Sequence, residues 1–338
     1  MRLSPPQILS LVILSALFNV PSALAQAGSR PPLYFDSQNT FFYSGTSIAA
    51  SQSGQTAQLP MFPEGILELP ESSHYLLWAE LDSGRLSVLE NRGAKGFMLL
   101  KRIPISIGKL GVGKQFEGDK KTPVGVYLFT SFLGDSSLDD YYGLGAYPLN
   151  YPNALDKLTG RTGHGIWLHG LPKEVSERPF LDSDGCVIID NESLLALANE
   201  IAPGRTQMVM SREPIRWIAA TEKPDASNEL ASAIQQWKTA WEGRTDSRYL
   251  NFYAPDFNDL QRDKPEWDAY KSRVNAGKSF IRVELSDISM LQSPAERDLV
   301  DVKFYQRYAS NDYAWQGWKH QLWRHEDDGW KIVYEGSN

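Results

Sequence analysis

The sequence predicts a mainly β domain followed by an α+β domain of cone-like form, and three observations carry that expectation. From residue 75 the chain runs in short apolar and aromatic segments separated by turn residues about every ten positions. These segments do not alternate with helices, which argues against a doubly wound parallel sheet. Residues 214–228 hold Pro214, Pro224 and Asp225-Ala226-Ser227, a linker composition. Beyond them one helical stripe leads into four strand patterns, and seven of the ten tryptophans lie after residue 230.

Length and charge fit this division. The chain has 338 residues, which at roughly 100 to 200 residues per domain suggests two domains. It is 42% apolar and 22% charged with a net charge of −7, a balance that argues against a nucleic-acid partner. Cys186 is the single cysteine, so intramolecular disulfides and zinc sites built on several thiolates are excluded. No cofactor is implied.

Taken in order, residues 1–25 read as a secretory signal peptide: Arg2, an apolar stretch from Ile8 to Val20, then Ala23-Leu24-Ala25 before Gln26. The apolar stretch is too short for a bilayer that needs about 20 residues. Removing Arg2 would take the charge from −7 to −8, and the mature protein is expected to be exported and soluble, in the periplasm. Residues 26–74, rich in Ser, Gly, Gln and Pro, read as an N-terminal extension that drapes on or tethers the first domain. The first domain is placed at 75–213, with strands at 75–81, 86–89, 97–107 and 126–130 and turns at Asp82-Ser83-Gly84 and Arg92-Gly93. After the linker at 214–228 comes the second domain, 229–338. It opens with Leu230, Ile234, Trp237 and Trp241 on one helical face. Strands follow at 281–290, 299–308, 315–325 and 330–335. Its tryptophan-rich surface suggests a pocket.

The chemistry concentrates in Thr162-Gly163-His164-Gly165-Ile166-Trp167-Leu168-His169-Gly170 and Ser183-Asp184-Gly185-Cys186-Val187-Ile188. With 166–169 extended, His164 and His169 are five residues apart and point to opposite faces, which weakens a metal site built on both. Gly185 permits a tight turn that brings the Cys186 thiol beside the His169 imidazole. A thiol with pKa about 8.5 is only a few per cent thiolate at neutral pH, so a neighbouring base is what makes it a nucleophile. Asp182 and Asp184 oppose the thiolate unless they point away. No Asp or Asn directly follows His169, which makes the Gly170 carbonyl the nearest orienting group.

His169-Gly170, Ser183 to Cys186, and the upstream Gly118-Asp119-Lys120-Lys121-Thr122-Pro123-Val124-Gly125-Val126-Tyr127 together resemble the L,D-transpeptidase (YkuD-type) catalytic domain. Tyr151 to Asp156 with Gly160-Arg161-Thr162-Gly163 resembles a subgroup from Gram-negative envelopes. The resemblance spans about residues 75–212. It implies that Cys186 is the nucleophile, His169 the base, the Gly170 carbonyl its orienting group, and backbone N–H groups at Gly185 and Cys186 the oxyanion hole. Arg161, Trp167, Ser183 and Asp184 are the candidate substrate contacts. Many members carry Ser-His-Gly-Cys and an arginine two residues after the cysteine, where this chain has Asp184 and Ile188. Residues 228–338 resemble the nuclear transport factor 2-like fold, through the Trp-bearing helix, Tyr249 to Tyr253, Asp256-Phe257 and Trp330 to Glu335. That pairing of domains occurs in cell-shape-determining L,D-carboxypeptidases.

The resemblance implies peptidoglycan stem peptides as the partner. Cys186 would attack the bond between meso-diaminopimelate and D-alanine, and an amine acceptor would make a cross-link. The alternatives are an L,D-carboxypeptidase or amidase with water as acceptor, which trims stems or releases wall-linked protein, and, outside enzymes, an inactive wall-binding scaffold. A wall-linked protein or a small ligand is a candidate partner of the second domain.

Overall fold

A computed structural model describes residues 59–337; the expected leader at 1–25 and most of the expected extension lie outside the described residues. The central sheet of the first domain has five strands, in the order Phe97–Pro104, Arg85–Asn91, Tyr75–Glu80, Gln207–Ser211, Gly125–Leu128. The first three form an antiparallel meander. Its tight turn falls at Gly84, whose φ of 65° suits a residue without a Cβ. Strand Gln207–Ser211 enters parallel to Tyr75–Glu80 and antiparallel to Gly125–Leu128.

Both faces of this sheet are covered. Leu77, Ala79, Leu86 and Val88 pack into one core, whereas Leu76, Trp78 and Leu89 pack into another with Ile66 and Leu291. This two-sided burial explains the near-continuous apolar run of Tyr75–Glu80. Over the first core lies a smaller sheet, Val187–Ile188, Trp167–His169, Gly145–Pro148, Leu133–Gly134, which carries the chemistry-bearing segments. The strand expected at 97–107 stops at Pro104; Ile107–Gly108 pairs instead with Leu181–Ser183. Pro104 has no N–H with which to continue a ladder.

In the second domain, Leu230, Ile234, Trp237 and Trp241 are the buried residues of helix Ala226–Glu242. They pack with Tyr249, Trp267, Phe304, Trp323 and Ile332 against an antiparallel sheet. Its strands are Gly329–Ser337, Ala314–Glu326, Leu299–Ser310 and Ile281–Gln292, with Ile66–Glu68 at the edge. The strands bend at register shifts between Ser286 and Ser289 and between Leu322 and Trp323, which lets the sheet wrap the helices.

The expected extension and linker both contribute strands. Met61–Pro63 pairs with Trp217–Ala219, and Ile66–Glu68 joins the second-domain sheet. The chain before the first domain therefore fastens to both: Leu67 is buried in the second-domain core, Ile66 packs with Leu76 and Trp78 behind the central sheet, and Phe62 lies against Phe97. A further contact sets Ala154 and Leu155 of helix Ala154–Leu158 against Leu299, Leu322 and Val333. Among the described residues no helix is long and apolar enough to cross a membrane.

Candidate active site

Strand Trp167–His169 lies between Gly145–Pro148 and Val187–Ile188. Leu168 points into the core, so its neighbours Trp167 and His169 face the other way. The parallel register pairs His169 with Ile188. Counting back two residues, Cys186 falls on the His169 side of the sheet. The two residues expected to react thus lie on the same side of adjacent strands, with no hydrogen bond between thiol and imidazole.

His169 is fully buried, with Nδ1 2.8 Å from the Gly170 carbonyl oxygen. A carbonyl can only accept, so Nδ1 carries the hydrogen and Nε2 keeps its lone pair. Nε2 has no hydrogen-bond partner. Burial pushes the imidazole pKa down to about 4, so the ring is a neutral base at pH 7. Tyr142 and Tyr141 pack around it, at 5.1 and 5.8 Å between ring centres, and Tyr142 also lies 4.8 Å from Trp167.

The half-buried Cys186 thiol donates to the Gly165 carbonyl at 3.3 Å and accepts from the Trp167 N–H. Burial pushes it up to about 11; Asp184 acts in the same direction, while Lys114 and Arg178 oppose it. The acidic neighbours are nonetheless held by cations. Arg178 Nε donates to Asp182 at 2.7 Å, and Lys109 pairs with the exposed Asp184 at 3.2 Å. At neutral pH the thiol and the imidazole are therefore both neutral, and a thiol in that state reacts as a nucleophile only when a base takes its proton.

The turn before the thiol is tightly bonded. Gly185 has a φ of 133°, and a Cβ there would meet the Lys121 carbonyl at 2.9 Å. Its carbonyl accepts from Thr122 Oγ1 at 2.9 Å, and the same hydroxyl oxygen accepts from the Gly108 N–H. Thr122 thus links the upstream motif to the turn that precedes Cys186.

Two expectations need correction here. Ser183 is fully buried, donating to the Cys186 carbonyl at 2.6 Å and accepting from Gly185 N–H at 3.0 Å. It builds the turn and has no free hydroxyl for substrate. The same bond engages the Gly185 N–H, leaving the Cys186 N–H as the remaining donor of the expected oxyanion pair. Arg161 places one guanidinium nitrogen 3.0 Å from the buried Asp156 carboxylate, which also accepts from Tyr127, while its Nε has no hydrogen-bond partner. Trp167 and Asp184 keep positions from which substrate can be met. His164 is exposed, 3.2 Å from Glu117, and stands apart from the buried His169.

Sequence reasoning missed Asn191 and Arg178. Asn191 Oδ1 accepts from Leu144 N–H at 3.0 Å and Nδ2 donates to the Leu171 carbonyl at 2.9 Å. Its oxygen lies so close to Gly170 that a Cβ there would sit 2.0 Å away. One carboxamide therefore fastens the chain on both sides of the carbonyl that orients His169. Arg178 donates to Asp182, to its carbonyl and to Tyr141, fastening the loop after Gly170 to the tyrosine wall. An asparagine opening helix Asn191–Ala196 after an apolar strand was the available signal for the first; the second sits in a loop without periodicity.

Comparison with known proteins agrees with this geometry. Residues 74–210 match the L,D-transpeptidase catalytic domain (YkuD), and residues 229–336 match the Cds6 C-terminal NTF2-like domain. Among solved structures, Bd1075 from Bdellovibrio bacteriovorus is 28% identical with a TM-score of 0.68, covering 82% of this chain and 98% of its own. The helical cell shape determining protein Pgp2 from Campylobacter jejuni is 24% identical with a TM-score of 0.66, covering 84% and 96%. A comparison with curated proteins finds no match.

Proposed function

Because this chain joins an L,D-transpeptidase (YkuD) catalytic domain to a Cds6-type NTF2-like domain, we propose that it is an exported cysteine acyltransferase acting on peptidoglycan tetrapeptide stems. Cys186 Sγ attacks the meso-diaminopimelate carbonyl as His169 Nε2 takes the thiol proton. The carbonyl oxygen becomes an oxyanion facing the Cys186 N–H. The bond to D-alanine then breaks, His169 returns the proton to the leaving amine, and a thioester remains. An amine of a second stem attacks the thioester, His169 takes its proton, and a cross-link forms with the thiol restored. The observation that carries this reading is the orphaned, neutral Nε2 of His169 on the face shared with the only cysteine.

Hydrolysis is the second reading, favoured by the wall of Tyr141, Tyr142 and Arg178 against His169. That wall narrows the approach of a second stem more than that of water. Incubation with disaccharide-tetrapeptide separates the readings. A cross-linked dimer supports transpeptidation, whereas disaccharide-tripeptide alone supports the carboxypeptidase. Turnover that survives Cys186→Ala, or no turnover of the intact protein, overturns both. The leader expected at residues 1–25 from the sequence pattern supports a periplasmic site of action.

A further inference from the structure

The two domains enclose a second cavity, of about 590 Å³, which includes neither Cys186 nor His169. Its walls come from Leu128, Arg205 and Gln207 of the first domain and from the outer face of the second-domain sheet. Lys303, Tyr305 and Arg307 alternate along strand Leu299–Ser310, while Val302 and Phe304, each one position before a lining residue, face the aromatic core. The cavity is therefore distinct from the concave interior of that domain. Its volume falls within the range of small-molecule sites, about 300 to 1,000 Å³.

The lining has an excess of donors. Gln207 Oε1 accepts from Ser289 Oγ at 3.1 Å, which leaves its amide Nε2 without a partner, and Lys303 Nζ has none either. Both side chains are more than nine-tenths buried, at 4% and 6% exposure. Buried donors normally find acceptors, so two orphans in one lining are informative. Asp301, two residues from Lys303 on the same strand, offsets part of that charge: one of its oxygens meets His320 at 2.8 Å and the other has no hydrogen-bond partner. Arg205 and Arg307 add exposed guanidinium groups. Against these stand the Asp287 carboxylate, which already accepts from Ser72 and Ser286, and the exposed Glu284, 3.9 Å from one nitrogen of Arg307. Tyr305 and Trp318 meet edge to face at 5.6 Å and present ring surface to the same space.

Donor excess calls for an anionic, acceptor-rich ligand, and the aromatic pair calls for one with an apolar ring face. We infer that the interdomain cavity binds a carboxylate-bearing saccharide. Arg205 and Arg307 take the carboxylate in forked hydrogen bonds, and Trp318 packs on the C–H face of the sugar. The inference does not rest on the reaction proposed for Cys186.

The test is an NMR titration of the full chain with N-acetylmuramic acid, with N-acetylglucosamine as the analogue lacking the carboxylate. Saturable binding of the first is expected, weakened at least ~10-fold in the Arg205→Ala, Arg307→Ala double variant and in Trp318→Ala, and much weaker for the second. D-alanine release from tetrapeptide by these variants is the control for folding and should be unchanged. Absence of saturable binding, binding indifferent to all three substitutions, or equal affinity for N-acetylglucosamine overturns the inference.

Discussion

Each domain buries a cluster of titratable groups among aromatic rings, and the two clusters are built on opposite principles. In the first domain His169 and Cys186 are both forced neutral by burial, and Nε2 is left without a partner. In the second, Glu335 is driven down to about 2 by Lys319 and Lys271 against the cost of burial. It lies 3.0 Å from Lys319 and accepts from Tyr253 at 2.8 Å and Gln321 at 2.9 Å. Lys271, lowered to about 8 by burial, sits over Trp241 and Trp267 at 4.8 and 4.6 Å. The first cluster keeps two neutral groups and an unpartnered imidazole nitrogen, whereas the second is built on a buried ion pair.

The comparison can be broken most sharply at His169. His169→Gln keeps a polar side chain but no base of useful strength, and should lower turnover ~100- to 10,000-fold while the fold survives. Thermal unfolding and D-alanine release measured together check this, and an active His169→Gln variant would remove the base from the account. At the other cluster, Glu335→Ala leaves Lys271 and Lys319 uncompensated and should cost about 3–5 kcal/mol of stability. Its Cys186 alkylation rate at a temperature where it stays folded should match the unmodified protein. A stable Glu335→Ala protein would show that the second cluster is no structural lock.

Smaller effects sharpen the supporting shell. Asn191→Ala unfastens Leu144 and Leu171 and should lower kcat ~10- to 100-fold with little change in KM, at a stability cost of about 1–3 kcal/mol. Steady-state kinetics and denaturant unfolding read the two parts. The smallest effect is linked to pH. His169 has a folded pKa of about 4, below its ordinary value of 6.5, so the native state binds fewer protons than the unfolded one. Stability should therefore fall as pH drops from 6.5 towards 4, by at most ~1.4 kcal/mol per unit. His169→Gln should flatten that part of the stability curve; an unchanged slope would place the acid sensitivity elsewhere.

Much of this was legible in the chain itself. The stripe from Leu230 to Trp241 and the four closing strands are regular patterns, and regular burial produced them. The contact of His169 with the Gly170 carbonyl was legible because no Asp or Asn directly follows that histidine. Ser183 misled because residue type does not reveal whether a polar group faces solvent or a neighbour's backbone. Asn191 and the strands at 61–68 were hidden for a different reason: their partners, Leu144, Trp217 to Ala219 and Met290 to Leu291, lie far along the chain. Local periodicity carries no trace of such pairings.

The central claim, that Cys186 forms a thioester with the stem, is tested most directly by the intact mass of protein quenched in acid during turnover of disaccharide-tetrapeptide. The account predicts an adduct equal to the disaccharide-tripeptide acyl group, mapped to the peptide containing Cys186 and absent from Cys186→Ala. Release of D-alanine without any adduct on Cys186, or the same adduct in Cys186→Ala, would contradict it.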